Sequence, residues 1–474
     1  MKYTLRMPHF LRFGYRFFAL CALLALTACF MGPHPEEEEE PETPTLSEIQ
    51  GLPSPNEANG TSAPNSHAPA AIAAATPPAT ATTPIPPDSA YGPATHLNKD
   101  ETGQVSQGLY APASHMGAST KATTIKVALL IPMSGDSAAL GQSLLDAGVL
   151  AIYDKYSALS PREITARIEL LPKDTGDTIE MAEKAAQDAL QEGATLILGP
   201  VFGKQVSAVA SFARHKNIPV ISFSNNTAVA GDGVYLFGFI PEQQVSRIVQ
   251  YSLSRKTTNI AALVPSNPYG AAIVKQLSAE VRKGGGRAHP IEYYQEDMSA
   301  LENNVGRLAR FFQDESGKGQ SLFIAEGGAK LKLLTNTLTA NGIDSSHIQL
   351  LGTGLWDDTD VLKWPALNGG WFASSPPEKY HAFEQHFVTT FGYKPERRAS
   401  LSYDAVALAA TMAIASNGKG FPKSMIVDPV GFSGPANGIF RFHEDGSIDR
   451  GLSVLMVTPA GFKTVDPAPT MFNQ

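Results

Sequence analysis

Cysteine is nearly missing from this 474-residue chain: there are two, Cys21 and Cys29, and both precede residue 30. The chain beyond residue 30 therefore has no disulfide framework, no cysteine-ligated zinc and no thiol nucleophile. Long apolar runs are missing too. Phe17 to Leu26 is about ten residues, against the ~20 that span a bilayer. Bases are not in excess, at 37 against 45 acids and a formal charge of −8, so no general electrostatic force draws the chain to nucleic acid. Catalytic signatures are also lacking. Gly199-Pro200-Val201-Phe202-Gly203-Lys204 is one residue short of a phosphate-binding loop, and Gly352-Thr353-Gly354 lacks the third glycine of a dinucleotide fingerprint. No Gly-x-Ser-x-Gly or His-Glu-x-x-His occurs. His381 and His386 are five apart, so a helix does not stack them as metal ligands, and Asp357-Asp358 with Asp360 reads as a polar turn. The expectation is a protein that is not an enzyme and holds no cofactor or metal.

What is present falls into three unlike segments. Residues 1–29 carry Lys2, Arg6, Arg12 and Arg16 and no acid. This basic start, the short apolar run and Leu26-Thr27-Ala28-Cys29 read as a signal peptide over 1–28 whose small residues resemble a bacterial lipobox. Cys29 is then the lipidated first residue. Phe30 in place of aspartate favours, by the sorting rule this pattern implies, the outer membrane over the inner. Residues 29–123 hold 15 of the 35 prolines, the run Glu36–Glu40 and few aromatics, the composition of a disordered linker. A flexible coil of that length averages roughly 50–60 Å end to end, and a fully extended one approaches ~290 Å.

From Thr124 the pattern changes to short apolar runs alternating with helical periods. Strand-like runs occur at 125–131, 166–171, 195–198 and 219–222, each succeeded by a helical stretch or loop, and the alternation restarts at 259–264, 321–325 and 347–351. Single-helix crossovers between strands make parallel sheets covered on both faces. Two successive sets predict an α/β body of two Rossmann-like lobes, whose ligands bind beyond the carboxyl ends of the strands. The residues just past those ends are Ser134, Phe202, Gly203, Ser224, Asn225, Tyr269, Glu326 and Trp356. Either a peptide or sugar stacks on Phe202, Tyr269 or Trp356, or these aromatics pack the closed lobes together.

Ala128-Leu129-Leu130-Ile131-Pro132-Met133-Ser134-Gly135, Leu198-Gly199-Pro200 with Ile218-Pro219-Val220-Ile221-Ser222, and Ser402-Tyr403-Asp404-Ala405 resemble three signatures of type I periplasmic binding proteins of the leucine/isoleucine/valine class. With a lipobox ahead of it, the body is most similar to the bacterial penicillin-binding protein activators. That resemblance implies three chain crossings between lobes, placed near Phe239–Pro241, Phe372–Ser375 and Gly434–Ile439. Lobe 1 is then about 124–240 and 374–436, and lobe 2 about 241–373 and 437–474. It further implies an outer-membrane lipoprotein that faces the periplasm, activates a peptidoglycan synthase by contact and has room for a small ligand or peptidoglycan fragment in its cleft. The alternative is a substrate-binding lipoprotein of an ABC transporter. In amino-acid-binding relatives, hydroxyls of the second and third loops hold the ligand carboxylate and an acid in the other lobe holds the ammonium. Here the second loop offers Phe202 and Gly203, the acidic position falls near Gly354, and only Ser222, Ser224 and Thr227 suit the third loop. The activators of this type carry a helical-repeat domain ahead of the body, where this chain has its proline-rich linker. Mass spectrometry of the mature N-terminus should find an acylated Cys29; an unmodified protein starting elsewhere refutes the lipobox reading.

Overall fold

A computed structural model describes residues 122–314, 320–343 and 345–472. The signal peptide, Cys29 and the linker lie outside the described residues. β1 (Thr123–Ile131), α1 (Ala138–Ser157), β2 (Ala166–Asp174), α2 (Ile179–Gln191), β3 (Leu196–Leu198), α3 (Gly203–His215), β4 (Val220–Ser222) and β5 (Val234–Leu236) build a first lobe. Its five strands are all parallel, in the order β2-β1-β3-β4-β5. The second lobe is built from α4 (Pro241–Ser254), β6 (Asn259–Pro265), α5 (Pro268–Lys283), β7 (Arg287–Tyr294), α6 (Leu301–Asp314), β8 (Gln320–Ile324), α7 (Gly328–Ala340), β9 (Gln349–Gly352) and β10 (Trp371–Ser374). The chain then returns to the first lobe through α8 (Pro377–Phe391), α9 (Ala399–Ala415), α10 (Lys423–Ile426), β11 (Phe432–Gly434), β12 (Gly438–Phe442) and β13 (Ile448–Arg450). It ends in the second with β14 (Ser453–Thr458) and β15 (Gly461–Asp466), which complete a sheet ordered β15-β14-β10-β9-β8-β6-β7. Only β14 runs against the other strands in it, pairing antiparallel with both β10 and β15.

Both sheets are covered on both faces, which is why β1, β3 and β6 read as unbroken apolar runs. Leu129 and Ile131 face α1 and α9, while Ala128 and Leu130 face α2 and α3. In the second lobe Leu263 faces α6 and α7, and Ala262 and Val264 face α4 and α5. Local signals start the helices: Thr178 Oγ1 accepts the Met181 amide at 3.2 Å, and Asn267 Oδ1 accepts that of Gly270 at 3.0 Å, ahead of Pro268. Among the described residues each lobe closes an apolar core on both faces of its sheet.

The third crossing departs from expectation. The chain leaves the first sheet after Leu236, returns after Ser374 and crosses again only after Arg450, not near Gly434–Ile439. β12 and β13 therefore belong to lobe 1, and the boundary at 436/437 is corrected. The reason is aromatic packing: Phe440 lies edge-on to Phe237 at 4.8 Å, and Phe442 sits 5.7 Å from Tyr235. Also unexpected are β7 and α6, because Arg287, His289, Pro290 and Glu292 break any apolar run on what is an edge strand.

Beside the turn that leads into β12 sits a buried carboxylate. Asp404 of α9 accepts the amides of Ala436 (2.8 Å) and Asn437 (3.0 Å) and the Asn437 side chain (2.9 Å). Gly434 lies so close that a Cβ would fall 2.5 Å from the carboxylate. Burial pushes the carboxyl up to about 6, against its hydrogen bonds and the attraction of Arg450. The native state thus holds this proton more tightly than an unfolded chain, in which it titrates near 3.8. The sign is then fixed: the group's contribution is complete below the unfolded value and is lost as pH rises through about 6. Denaturant titrations should show that part of the pH dependence abolished in Asp404→Asn. Asp404→Ala, which strands the donors and Arg450, should cost about 3–5 kcal/mol at neutral pH; an unchanged midpoint would refute the assignment.

Candidate functional site

The strand ends of the two sheets face each other as two walls of unlike chemistry. On the first wall Met133 and Ser134 give their amides to Asp174 Oδ1 at 2.8 and 3.2 Å, joining the loop after β1 to the loop after β2. Gln205, fully buried at the start of α3, donates to the carbonyls of Thr175, Gly176 and Thr178. That one side chain fixes the Phe202-Gly203 turn beside the Ser134 loop, and no motif announced it. The turn exists because Gly199 takes φ +91°, where a Cβ would strike the Leu130 carbonyl at 2.1 Å. Gly203 packs on Asn226 and Ser224. Ser134, Phe202, Gly203 and Ser224 are thus brought together, with Asn225 exposed at the edge.

Of the third-loop hydroxyls only that of Ser222 is used as both donor and acceptor. Ser222 donates to the Pro200 carbonyl and accepts the Ser224 amide, and Ser224 accepts the Asn226 amide at 3.1 Å. Both serines are buried, so they hold the loop and leave only Thr227 of the three exposed.

The second wall is acidic and phenolic. Tyr294, at the end of β7, donates its hydroxyl to Glu326 Oε2 at 2.5 Å, and Glu326 Oε1 accepts the Gly327 amide. Burial first, and then the Glu326 hydrogen bond, hold the Tyr294 phenol well above its ordinary range. Tyr269 lies beside Thr353 with no well-aligned partner for its buried hydroxyl. Burial pushes it up to about 12, the Glu326 and Glu242 carboxylates adding to the shift and Thr353 opposing it. Glu242, at the start of α4, has one buried oxygen without a hydrogen-bond partner. At Gly354 the amide is taken by Gln244 Oε1 at 2.9 Å, so a carboxamide fills the place where an acid was looked for.

Trp356 does not line the cleft. It is fully buried in the second core, its ring 6.3 Å from Phe372, and Gly352 and Gly370 lie against it. Apolar area and close packing outweigh its position after a strand end. The acidic turn after it is more than a turn: Asp357 Oδ2 accepts Ser374 (2.7 Å) and Arg397 (3.3 Å), an ion pair from the second lobe to the first. Arg397 lies 3.9 Å from the centre of the Tyr380 ring and 4.8 Å from that of Phe239. Burial pushes the Tyr380 phenol up to about 12, with Arg397 opposing. Asp358 caps the next turn and Asp360 pairs with Lys363. His381 is exposed, and His386 contacts Asp154 at 3.0 Å. Among the described residues no three His, Cys, Asp or Glu are grouped as metal ligands, and no helix is long and apolar enough to cross a membrane.

This two-lobed arrangement has known counterparts. Residues 124–462 match the family described as "Periplasmic binding protein". Among curated proteins the chain is 25% identical over 230 residues to an uncharacterized protein of Rickettsia prowazekii, spanning 47% of this chain and 59% of that one. It is 22% identical over 292 residues to the penicillin-binding protein activator LpoA of Yersinia pseudotuberculosis, spanning 52% of this chain and 42% of that one. The chain thus spans about half the length of the curated relatives it matches. Among solved structures, a putative branched-chain amino acid ABC transporter protein from Rhodospirillum rubrum superposes with a TM-score of 0.63 at 16% identity, covering 72% of this chain and all 100% of that one. The leucine-binding protein LivK of Thermotoga maritima gives 0.55 at 18% identity, over 73% and 98%. At such identities the structures show the fold alone.

Two substitutions separate core from cleft. Trp356→Ala should lower unfolding stability by about 3–5 kcal/mol. Phe202→Ala, at a half-buried ring that packs on the edge of the first core, should cost less, about 1–2 kcal/mol. Equal losses in urea titrations would mean that the walls are misassigned.

Proposed function

Because the chain belongs to the periplasmic binding protein family, we propose that it is a non-enzymatic envelope lipoprotein that activates a penicillin-binding protein by docking on it. The family's location is extracytoplasmic, and its fold binds without chemistry of its own. The observation that carries the finer reading is the similarity to the LpoA activators, which runs over half of this chain. The cleft supports it. With Ser222 and Ser224 committed to their own loop and Gln244 standing at Gly354, the usual pairing of hydroxyls with an opposing acid is not assembled at the expected positions. Lipid at Cys29 holds the chain at the outer membrane, and the linker over 30–123 supplies reach. Such a contact activates only if it binds the active synthase better than the inactive one.

One observation favours a second reading, capture of a small ligand for an ABC transporter. The unpartnered Glu242 oxygen and Tyr269 hydroxyl beside Glu326 suit a cationic group, and the structural counterparts are named as transporter binding proteins. Melting experiments on residues 122–474 with a panel of amino acids should show little shift, where a ligand at 100 times its Kd would add about 2.7 kcal/mol. The same protein should raise the glycan-polymerising or crosslinking rate of a solubilised class A penicillin-binding protein. Tight amino-acid binding without any effect on a synthase would establish the transport reading instead.

A further inference from the structure

The end of the second lobe opposite the cleft carries a cluster of bases that neither reading uses. α4 and α5 lie side by side and finish at one level: Gly284, just past α5, packs so closely on α4 that a Cβ would meet Leu253 at 2.4 Å. The Arg287 amide, opening β7, donates to the Thr258 carbonyl at 2.8 Å. Arg255 and Lys256 from the end of α4, Arg282 and Lys283 from the end of α5, and Arg287 therefore converge on one face. All five are exposed, and none has an ion-pair partner among the described residues. Arg255 extends over the Tyr251 ring at 5.0 Å. Among the described residues, the acids nearby are turned elsewhere: Glu280 bonds Ser246, Gln250 and Gln276 between the two helices, and Asp314 ends α6 on the other face of the sheet. Lys173, Lys184, Arg247 and Arg307, by contrast, are paired with acids.

We infer that this end face, formed by Arg255, Lys256, Arg282, Lys283 and Arg287, is a docking surface for an anionic lipid bilayer. Three separate chain segments finish at the same level, so their charges present a plane, which matches a layer of phosphate headgroups better than one bound anion or one peptide strand. Four to eight bases held together are enough for electrostatic adsorption to anionic lipid, with each base near the surface contributing. The face points away from the cleft, because strands that end at the cleft begin here, so adsorption leaves both walls open. Together with acylation at Cys29 it would give the two-signal attachment that stabilises peripheral proteins on membranes. Adsorption of this kind is compatible with either proposed function.

The test is co-sedimentation of the chain from residue 29 carrying Cys29→Ser, which has no acyl chain, with vesicles. Binding is expected to vesicles of phosphatidylcholine and phosphatidylglycerol in equal parts, with little to phosphatidylcholine alone. It should weaken steeply with added salt, as exposed charges are screened. Reversing Lys256, Arg282 and Lys283 to glutamate should reduce binding by at least about tenfold. Reversing the exposed Lys204, Lys330 and Lys332, which lie at the cleft end, should leave it unchanged. Unaltered melting temperatures keep misfolding out of the comparison, because every substituted side chain is exposed. Equal binding to neutral vesicles, equal loss in both variants, or retention by isolated peptidoglycan sacculi but not by anionic vesicles would each overturn the inference.

Discussion

The lobes are joined by three strands of chain that must stay in register while passing between two independent cores, and a buried polar cluster holds them there. Asp404 gathers the amides at Ala436 and Asn437, which fixes the entry into β12. Arg450, at the last crossing, is itself buried and donates to the carbonyls of Phe237 and Gly238 at the first. Its guanidinium lies 4.5 Å from the centre of the Phe237 ring, and desolvation lowers its pKa to about 10. Burying two charges costs more than their mutual attraction returns unless donors and acceptors are met. Here Asp404 is met by the turn ahead of β12 and Arg450 by the first crossing, so desolvation is offset only when those segments are in place. That makes the cluster a specifier of the interlobe connection more than a source of net stability.

Around it, the lobe angle rests on few contacts. Asp357 with Arg397 is an ion pair between the lobes close to the crossings, and Arg397 also touches Asn437 and Ser400 within the hinge cluster. An ion pair that is a quarter exposed contributes little on its own. It sets geometry because Tyr380 and Phe239 pin the guanidinium from the first lobe. A hinge of this kind can rotate at modest cost, and both proposed functions need that freedom.

Legibility in the sequence tracks burial. β1, β3, β6, β8 and β9 are readable because both faces are covered and their apolar runs are unbroken. β7 is not, being an edge strand with Arg287 and Glu292 on it, and with it went Tyr294, the residue that holds Glu326. The short strands β11 to β13 carry glycines and alternate exposure, so nothing local says that Phe440 and Phe442 pack on the first lobe. Position after a strand end picks out Ser134, Phe202, Gly203, Tyr269 and Glu326, but it does not say which way a side chain turns. Trp356 turned inward and Ser224 turned to its own loop, both for tertiary reasons that no spacing encodes.

The two walls have consequences for how the body can act. A small ligand must gain from both lobes at once to favour one interlobe angle, and a partner protein need only touch surfaces whose separation depends on that angle. A shift from mostly open to mostly closed takes several kcal/mol of differential affinity. On the first wall Ser222 both donates and accepts within its loop, whereas Ser224 Oγ serves there only as an acceptor. A protein surface spanning Asn225 and Thr227 on one rim and Leu355 on the other can draw that differential affinity from many weaker contacts, since all three are exposed.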